Sequence, residues 1–423
     1  MIGKAALSSF LIGMALAFTG LVFVPVGSFS GTRIELSNLA ALALVFSLPV
    51  FGYPILRLPH AFRLICMALV WFSAVFVLDG AGIFLLPMTA LAVLGGIALA
   101  NLHQPSLSSW GIILVAALVV FTSILALAAA TAGQNLVVGV ADYLSSLNRS
   151  AFVFKVIRPT FNAFVPGQNV EYVASAINSL SGGFAILSLI SFGCLGMVRG
   201  ASIVAVVSVL FVFILFSSSS VLAVASAGLL LAIRWIRQSE RKLGPIVLCL
   251  ALLTLSPFLM GDLALYLAAN IGNDDASRAA RLGQYAAAVE LIAERPWTGH
   301  GLVEVSGHTV HNWLLFAGVT GGIGLMGVVL AVYAVVLRDL VRACRLALGG
   351  GDPRWLAVAG LLGFFLIRIS FGGAGGMPTT LAAMSLGFAC LMTRAIAEVS
   401  PSTSPVRRNP ARTSPRRRAG TVP

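Results

Sequence analysis

From its first residues the chain alternates long apolar runs with short polar or basic breaks. Most runs are about 17 to 25 residues long, which is what an α-helix needs to cross a hydrocarbon core of roughly 30 Å. Spans are predicted near 5–26, 37–56, 61–78, 81–100, 110–131, 176–197, 200–217, 219–236, 244–262, 312–337, 355–371 and 379–397. A transmembrane β-barrel would alternate apolar and polar residues, and these runs do not. The pattern therefore predicts an all-α integral membrane protein with about twelve transmembrane helices. Lys4 before the first run resembles the start of a signal peptide, but the run is long and no small-x-small cleavage site follows, so the helix is expected to stay.

Composition agrees. Of 423 residues 59% are hydrophobic and 10% charged, with a mean hydropathy of +0.99, outside the range of a water-soluble globule. Charge placement then sets the orientation, because Lys and Arg resist translocation. With both termini cytoplasmic, Arg57, Arg63, Arg199, the cluster Arg234, Arg237, Arg241 and Lys242, then Arg338, Arg342, Arg345 and Arg354 all fall inside. The net charge of +13 follows from this bias and needs no nucleic-acid partner. Residues 1–399 form the polytopic membrane domain, and the Pro-, Ser- and Arg-rich stretch 400–423 is expected to be a disordered cytoplasmic tail beside an anionic leaflet. Cys66, Cys194, Cys249, Cys344 and Cys390 lie in or at the inner edge of apolar spans, with neither disulfide nor zinc spacing.

Two outer segments, about 132–175 and 262–311, are long enough to carry chemistry. The first mixes Asn148, Arg149, Lys155, Arg158, Asn162 and Gln168 with Phe and Val, as amphipathic helices under headgroups do. In the second, a helix is expected from Ser277 to about Glu294, where Pro296 enforces a stop. Leu282, Tyr285, Val289 and Ile292 share one face of it, Glu290 and Glu294 the other, and Arg278 and Arg281 sit at the edge of the apolar face. Arginines so placed either snorkel to ordinary lipid phosphates or bind a lipid-linked diphosphate, whose geometry suits the guanidinium fork. His308 and His311 follow, one turn apart if the tenth helix starts near Gly307. No third ligand stands at helical spacing, so no metal is expected. One imidazole suffices as a general base, and a capping role at the interface is the structural alternative.

Taken in order, Arg281-x3-Tyr285, Pro296, Gly299, Gly301, His311-Asn312 and Gly321-x-x-Gly324 resemble the signature of the O-antigen ligase and O-antigen/exopolysaccharide polymerase superfamily. Members carry a large periplasmic loop between the ninth and tenth of twelve helices, ending in His-Asn, with Gly-x-x-Gly inside the tenth. The match spans roughly 278–325. The resemblance implies a multi-pass enzyme of the bacterial inner membrane that moves glycan from a polyprenyl diphosphate to an acceptor at the periplasmic face. The acceptor is a growing polysaccharide or a lipid A-core, and neither cofactor nor metal is needed. It makes Arg281 a diphosphate ligand and His311 the group that activates the acceptor hydroxyl, both catalytic. Arg278, Arg368, Asn312 and His308 complete the candidate substrate-binding set, Asn312 and the glycines in a mainly structural capacity.

There are departures. Many members carry an arginine at the outer turn between the seventh and eighth helices, where this chain has Ser217 to Ser220. Trp is more usual at the position of Tyr285, and the loop from Arg281 to His311 is short. Arg368, a charge deep in the eleventh span, is the expected substitute for the missing arginine, with pairing to Asp262 as the structural alternative. A twelve-helix secondary transporter, or a binding protein for lipid-linked glycan without transferase activity, is the rival reading. Against the transporter, no related halves are visible and the spans lack midplane Asp, Glu or Lys.

Overall fold

A computed structural model describes residues 3–21, 25–29, 32–51, 59–79, 85–146, 152–164, 170–215, 217–238, 283–302, 310, 312–371 and 379–399. The predicted ninth span (244–262), most of the second outer segment and the basic tail 400–423 lie outside these residues. Every other predicted span falls on a helix. In chain order these are α1 (Lys4–Phe18), α2 (Leu36–Phe51), α3 (His60–Asp79), α4 (Leu85–Asn101), α5 (Leu107–Thr131), α6 (Leu136–Ser146), α7 (Arg158–Phe164), α8 (Val170–Cys194), α9 (Ala201–Leu215) and α10 (Ser218–Gln238). They continue with α11, described over 283–294, then α12 (Trp313–Leu348), α13 (Arg354–Phe371) and α14 (Thr380–Val399).

Among the described residues, five stretches are long and apolar enough by themselves to cross a membrane: Leu107–Thr131, Ala176–Cys194, Ser219–Gln238, Trp313–Leu348 and Thr380–Glu398. Shorter apolar helices, among them α1 and α2, accompany them. Large apolar side chains such as Phe10, Phe46, Val70 and Ile112 point outward, where an apolar solvent accepts them.

The first span is shorter than its hydropathy suggests. The apolar run continues to Val26, but α1 stops at Phe18. Pro25 has no N–H to give to a helix, and valine and phenylalanine suit a pleated surface. Pro25–Phe29 instead pairs antiparallel with Thr32–Glu35, so the regular structure of the described residues is helical apart from one small hairpin.

α8 lies at the centre, packed by α1, α9, α10 and α13. Its Phe184 ring sits 4.3 Å from that of Phe121 and 4.5 Å from that of Phe211. Its buried serines Ser188 and Ser191 donate back to the carbonyls of Ala185 and Leu187, which satisfies them without a cross-helix partner. Small residues set the closest helix approaches, as expected where no hydrophobic effect drives association. A Cβ at Gly96 would lie 2.5 Å from the Ala383 carbonyl oxygen, so α4 and α14 touch through backbone.

Segment 132–175 contains the short helices α6 and α7. Asn135 caps α6 by accepting from the N–H groups of Val137 and Val138, at 3.0 and 3.2 Å. Val137, Val138 and Leu144 stay exposed while Leu136 and Gly139 pack inward, the pattern of a helix lying at an interface. A π turn, Val153–Ile157, leads into α7. With α6 it borders a cavity of about 330 Å³ lined by Asp142, Tyr143, Phe152 and Lys155.

Candidate functional site

Of the six predicted site residues, Asn312 and Arg368 are described, whereas Arg278, Arg281, His308 and His311 lie outside the described residues. The site is therefore built from its frame, beginning with α11. This helix ends at Glu294 as Pro296 requires, but its buried face is turned from the one expected. Gln284 and Ala288 are the buried positions, with Tyr285, Leu291 and Ile292 half-buried, while Val289 is 55% exposed. The helix packs its side against α12: a Cβ at Gly318 would meet Ile292 Cδ1 at 2.6 Å. Packing against one helix selected the face, and hydropathy alone did not reveal it.

The turn Pro296–Gly301 then docks its backbone into α12. That helix is broken at Gly321 (φ −129°, ψ 16°) and Gly322 (φ 71°, ψ −170°), the second in a region that side chains resist. The break frees the Val319 and Thr320 carbonyls and the Ile323 N–H, and the turn satisfies all three. His300 N donates to Val319 O at 2.7 Å, Gly301 N to Thr320 O at 3.2 Å, and Ile323 N to Pro296 O at 2.7 Å. Irregular backbone at membrane depth survives when protein supplies the missing bonds. Glycines make the approach possible, since a Cβ at Gly299 would strike Thr320 O and one at Gly322 would strike Pro296 O, at 2.5 and 2.6 Å. Gly324 leaves room for the Trp71 ring. The Gly-x-x-Gly motif is thus the socket that holds the turn Pro296–Gly301. His300 serves the same anchorage, with Nε2 2.8 Å from Leu291 O and 3.7 Å from Glu294 Oε2.

Asn312 is the N-cap of α12. Its Oδ1 accepts from Leu314 N (3.0 Å) and Leu315 N (3.1 Å), and its Nδ2 donates to Ser370 O at 3.3 Å. One side chain therefore starts α12 and ties that start to the end of α13. Ser370 in turn donates its hydroxyl to Tyr333 OH at 3.2 Å.

Two residues before Ser370 stands Arg368, only 5% exposed. Its Nη1 donates to Ser219 Oγ at 3.3 Å, and its Nε has no acceptor among the described residues. No described carboxylate forms an ion pair with it. Charge in an apolar helix costs roughly 2.5–3.5 kcal/mol even on permissive insertion scales. The structure thus sets Arg368 against the serine turn Ser217–Ser220. Ser217 and Ser219 hydroxyls are 3.0 Å apart, and the Ser220 hydroxyl is buried without a partner among the described residues.

The sequence reading missed a second buried arginine. Arg234, read as one of an inner basic cluster, is 8% exposed and donates to the carbonyls of Ala347 (2.5 Å) and Gly351 (2.8 Å). Nearby, Arg354 forks onto Asp352. Burial works to raise the Asp352 carboxyl, but the bonds from Arg354 and the charge of Arg234 outweigh it and hold the group below the usual carboxylate range. A basic pattern near a helix end signals orientation, and nothing in it distinguishes an exposed arginine from one that caps a neighbouring helix.

Fold and site together define a helical membrane protein in which the turn 296–301 is plugged into a broken helix and a buried arginine, Arg368, has one hydroxyl partner among the described residues. Comparison with family models matches residues 203–330 to the O-antigen ligase family, so that this segment of the chain is similar to that family. The matched stretch includes the serine turn, Asn312 and the Gly-x-x-Gly break; Arg368 lies beyond it. A comparison with curated proteins finds no match.

Proposed function

We propose that the protein is a glycosyltransferase of the inner membrane that joins polyprenyl-diphosphate-linked glycan to an acceptor at the periplasmic face, as an O-antigen or exopolysaccharide polymerase or an O-antigen ligase. The match of residues 203–330 to the O-antigen ligase family carries this reading and supports a membrane enzyme of surface polysaccharide biosynthesis. The positive-inside bias supports the orientation, with about twelve spans, both termini and the tail 400–423 cytoplasmic, and the segments 132–175 and 262–311 outside.

In the proposed reaction His311 takes the proton from an acceptor hydroxyl as that oxygen attacks the anomeric carbon of the donor sugar. A new glycosidic bond forms, the bond from that carbon to the diphosphate oxygen breaks, and polyprenyl diphosphate leaves with the electron pair. The donor carries its own activation in that bond, so no nucleotide sugar and no cofactor enters. Arg281 neutralises the departing diphosphate, with Arg278 and Arg368 as further cations. Asn312 supports the scheme from the frame: by capping α12 it fixes the start of the helix that follows His311 and ties it to the segment bearing Arg368. His308 belongs to the substrate's surroundings in a lesser role.

Lipid-linked and surface glycans extracted from a strain lacking the protein test the reading and divide it. Single repeat units on lipid A with polymer lost indicate a polymerase, and long chains stranded on polyprenyl diphosphate indicate a ligase. Unchanged glycans, together with solute uptake by liposomes holding the purified protein, would replace the transferase with a transporter.

A further inference from the structure

We propose that the cavity between α6 and the π turn seats a zwitterionic headgroup of the phosphoethanolamine class, and so binds phosphatidylethanolamine of the surrounding membrane. The proposal stands apart from the transferase reading. Asp142 and Lys155 both line this cavity of about 330 Å³, yet no ion pair joins them among the described residues. A carboxylate and an ammonium thus border one space without neutralising each other. Ser145 adds an acceptor, since its hydroxyl hydrogen goes to the Asp142 carbonyl at 3.0 Å and leaves the oxygen lone pairs to a guest. Asp142 and Ser145 stand in the C-terminal half of α6, toward the helix end that carries partial negative charge. That side of the cavity suits an ammonium, and the Lys155 side suits a phosphate.

The position of the cavity favours a lipid over a soluble guest. α5 is long and apolar enough to cross a membrane and ends at Thr131, and α6 begins at Leu136, so α6 starts at the membrane surface. On a helical wheel Val137 and Leu144 point the same way and are exposed, while Leu136 and Gly139 are buried on another side. Asp142 falls between those two faces, where a headgroup lies when its chains run along the apolar side. The floor is firm. A Cβ at Gly139 would meet Val156 Cγ2 at 2.5 Å, so α6 rests directly on the π turn, and Thr160 Oγ1 donates to Val156 O at 2.6 Å. Tyr143 and Phe152, edge to face with centroids 6.4 Å apart, complete the wall, and aromatic faces add attraction for an ammonium. A neutral saccharide could use the same hydroxyl and rings, but it carries no pair of opposite charges to match Asp142 and Lys155.

Purified full-length protein, delipidated in detergent and offered equal amounts of phosphatidylethanolamine, phosphatidylcholine and phosphatidylglycerol with identical chains, reports its preference by native mass spectrometry. Wild type is expected to retain phosphatidylethanolamine several-fold over either competitor, because choline has no N–H for Asp142 and the glycerol headgroup has no cation. Asp142→Asn and Lys155→Gln should each bring that preference to near parity. Both side chains are exposed, so neither variant is expected to disturb folding. Equal retention of the three lipids by wild type, or a preference that both variants keep, overturns the seat. A preference for phosphatidylglycerol that only Lys155→Gln removes identifies a plain anion contact and overturns the zwitterionic assignment. Release of bound phosphatidylethanolamine by maltotriose assigns the cavity to a saccharide and overturns the lipid. Retention of phosphatidylethanolamine that requires Asp142 and Lys155, in a protein that transfers no glycan, leaves the seat standing and removes only the transferase reading.

Discussion

The two ends of the helix trio α10, α12 and α13 treat buried arginine in opposite ways. At the end where α12 finishes and α13 begins, Arg234 closes on the carbonyls of Ala347 and Gly351, and Arg354 closes on Asp352. Every one of those charges has an acceptor, and the loop between the helices is held shut. At the other end, Arg368 donates to the Ser219 hydroxyl, and neither its Nε nor the Ser220 hydroxyl has a partner among the described residues. A satisfied buried guanidinium is part of the frame, because removing it orphans its partners. An unsatisfied one is costly until an anion arrives. The same residue type in the same three helices is therefore bonded to carbonyls or a carboxylate at one end and, among the described residues, to a single hydroxyl at the other.

The largest effect of any substitution is expected at the proposed base. His311→Ala should lower glycan transfer by about 10²–10⁴ while membrane abundance stays near normal, since an imidazole at an interface adds little to insertion. Transfer assayed with extracted lipid-linked glycan checks it, and equal rates in variant and wild type would remove the base. Arg234→Gln tests the opposite end. Losing the bonds to two buried carbonyls costs roughly 1–3 kcal/mol for each acceptor left unsatisfied, so the melting temperature should fall while activity per folded molecule holds. A specific loss of activity in a stable Arg234 variant would erase the distinction between the ends.

Gly322→Ala probes the socket that holds the turn Pro296–Gly301. It asks a side chain to adopt φ 71° and sets a Cβ 2.6 Å from Pro296 O, so about 1–3 kcal/mol of strain should loosen the 296–301 turn. Faster proteolysis or hydrogen exchange in that turn is the readout, and an undisturbed turn would refute the docking. His308→Ala should reduce transfer only mildly, in contrast to its neighbour one turn on. The smallest effect belongs to Asp352. Its carboxyl is held low in the fold, so the stability it adds is complete above the ordinary carboxylate pKa of about 4 and is lost as pH falls through the lowered value. Melting curves across that acid range should separate wild type from Asp352→Asn above pH 4 and converge below it.

What the sequence determined by itself is whatever depends on near neighbours along the chain. Hydropathy over about twenty residues located the helices, because each span meets an apolar solvent with its own residues. Pro296 ended α11, and Asn135 began α6, through bonds made within one turn. The ordered motif from Arg281 to Gly324 pointed to the family, and Arg368 was visible as a charge out of place. Only tertiary structure decided the rest. It ended α1 at Phe18 and made a strand of the residues from Pro25, although the apolar run continued. It turned the face of α11 so that Val289 is exposed and Ala288 buried, since contact with α12 at Gly318 outweighed the helical wheel. It separated Arg234 from Arg368 by what each can reach: two carbonyls in one case, and in the other a serine 149 positions away along the chain. Burial is a local property that hydropathy records, whereas satisfaction of a buried charge depends on which distant atoms the packing brings to it.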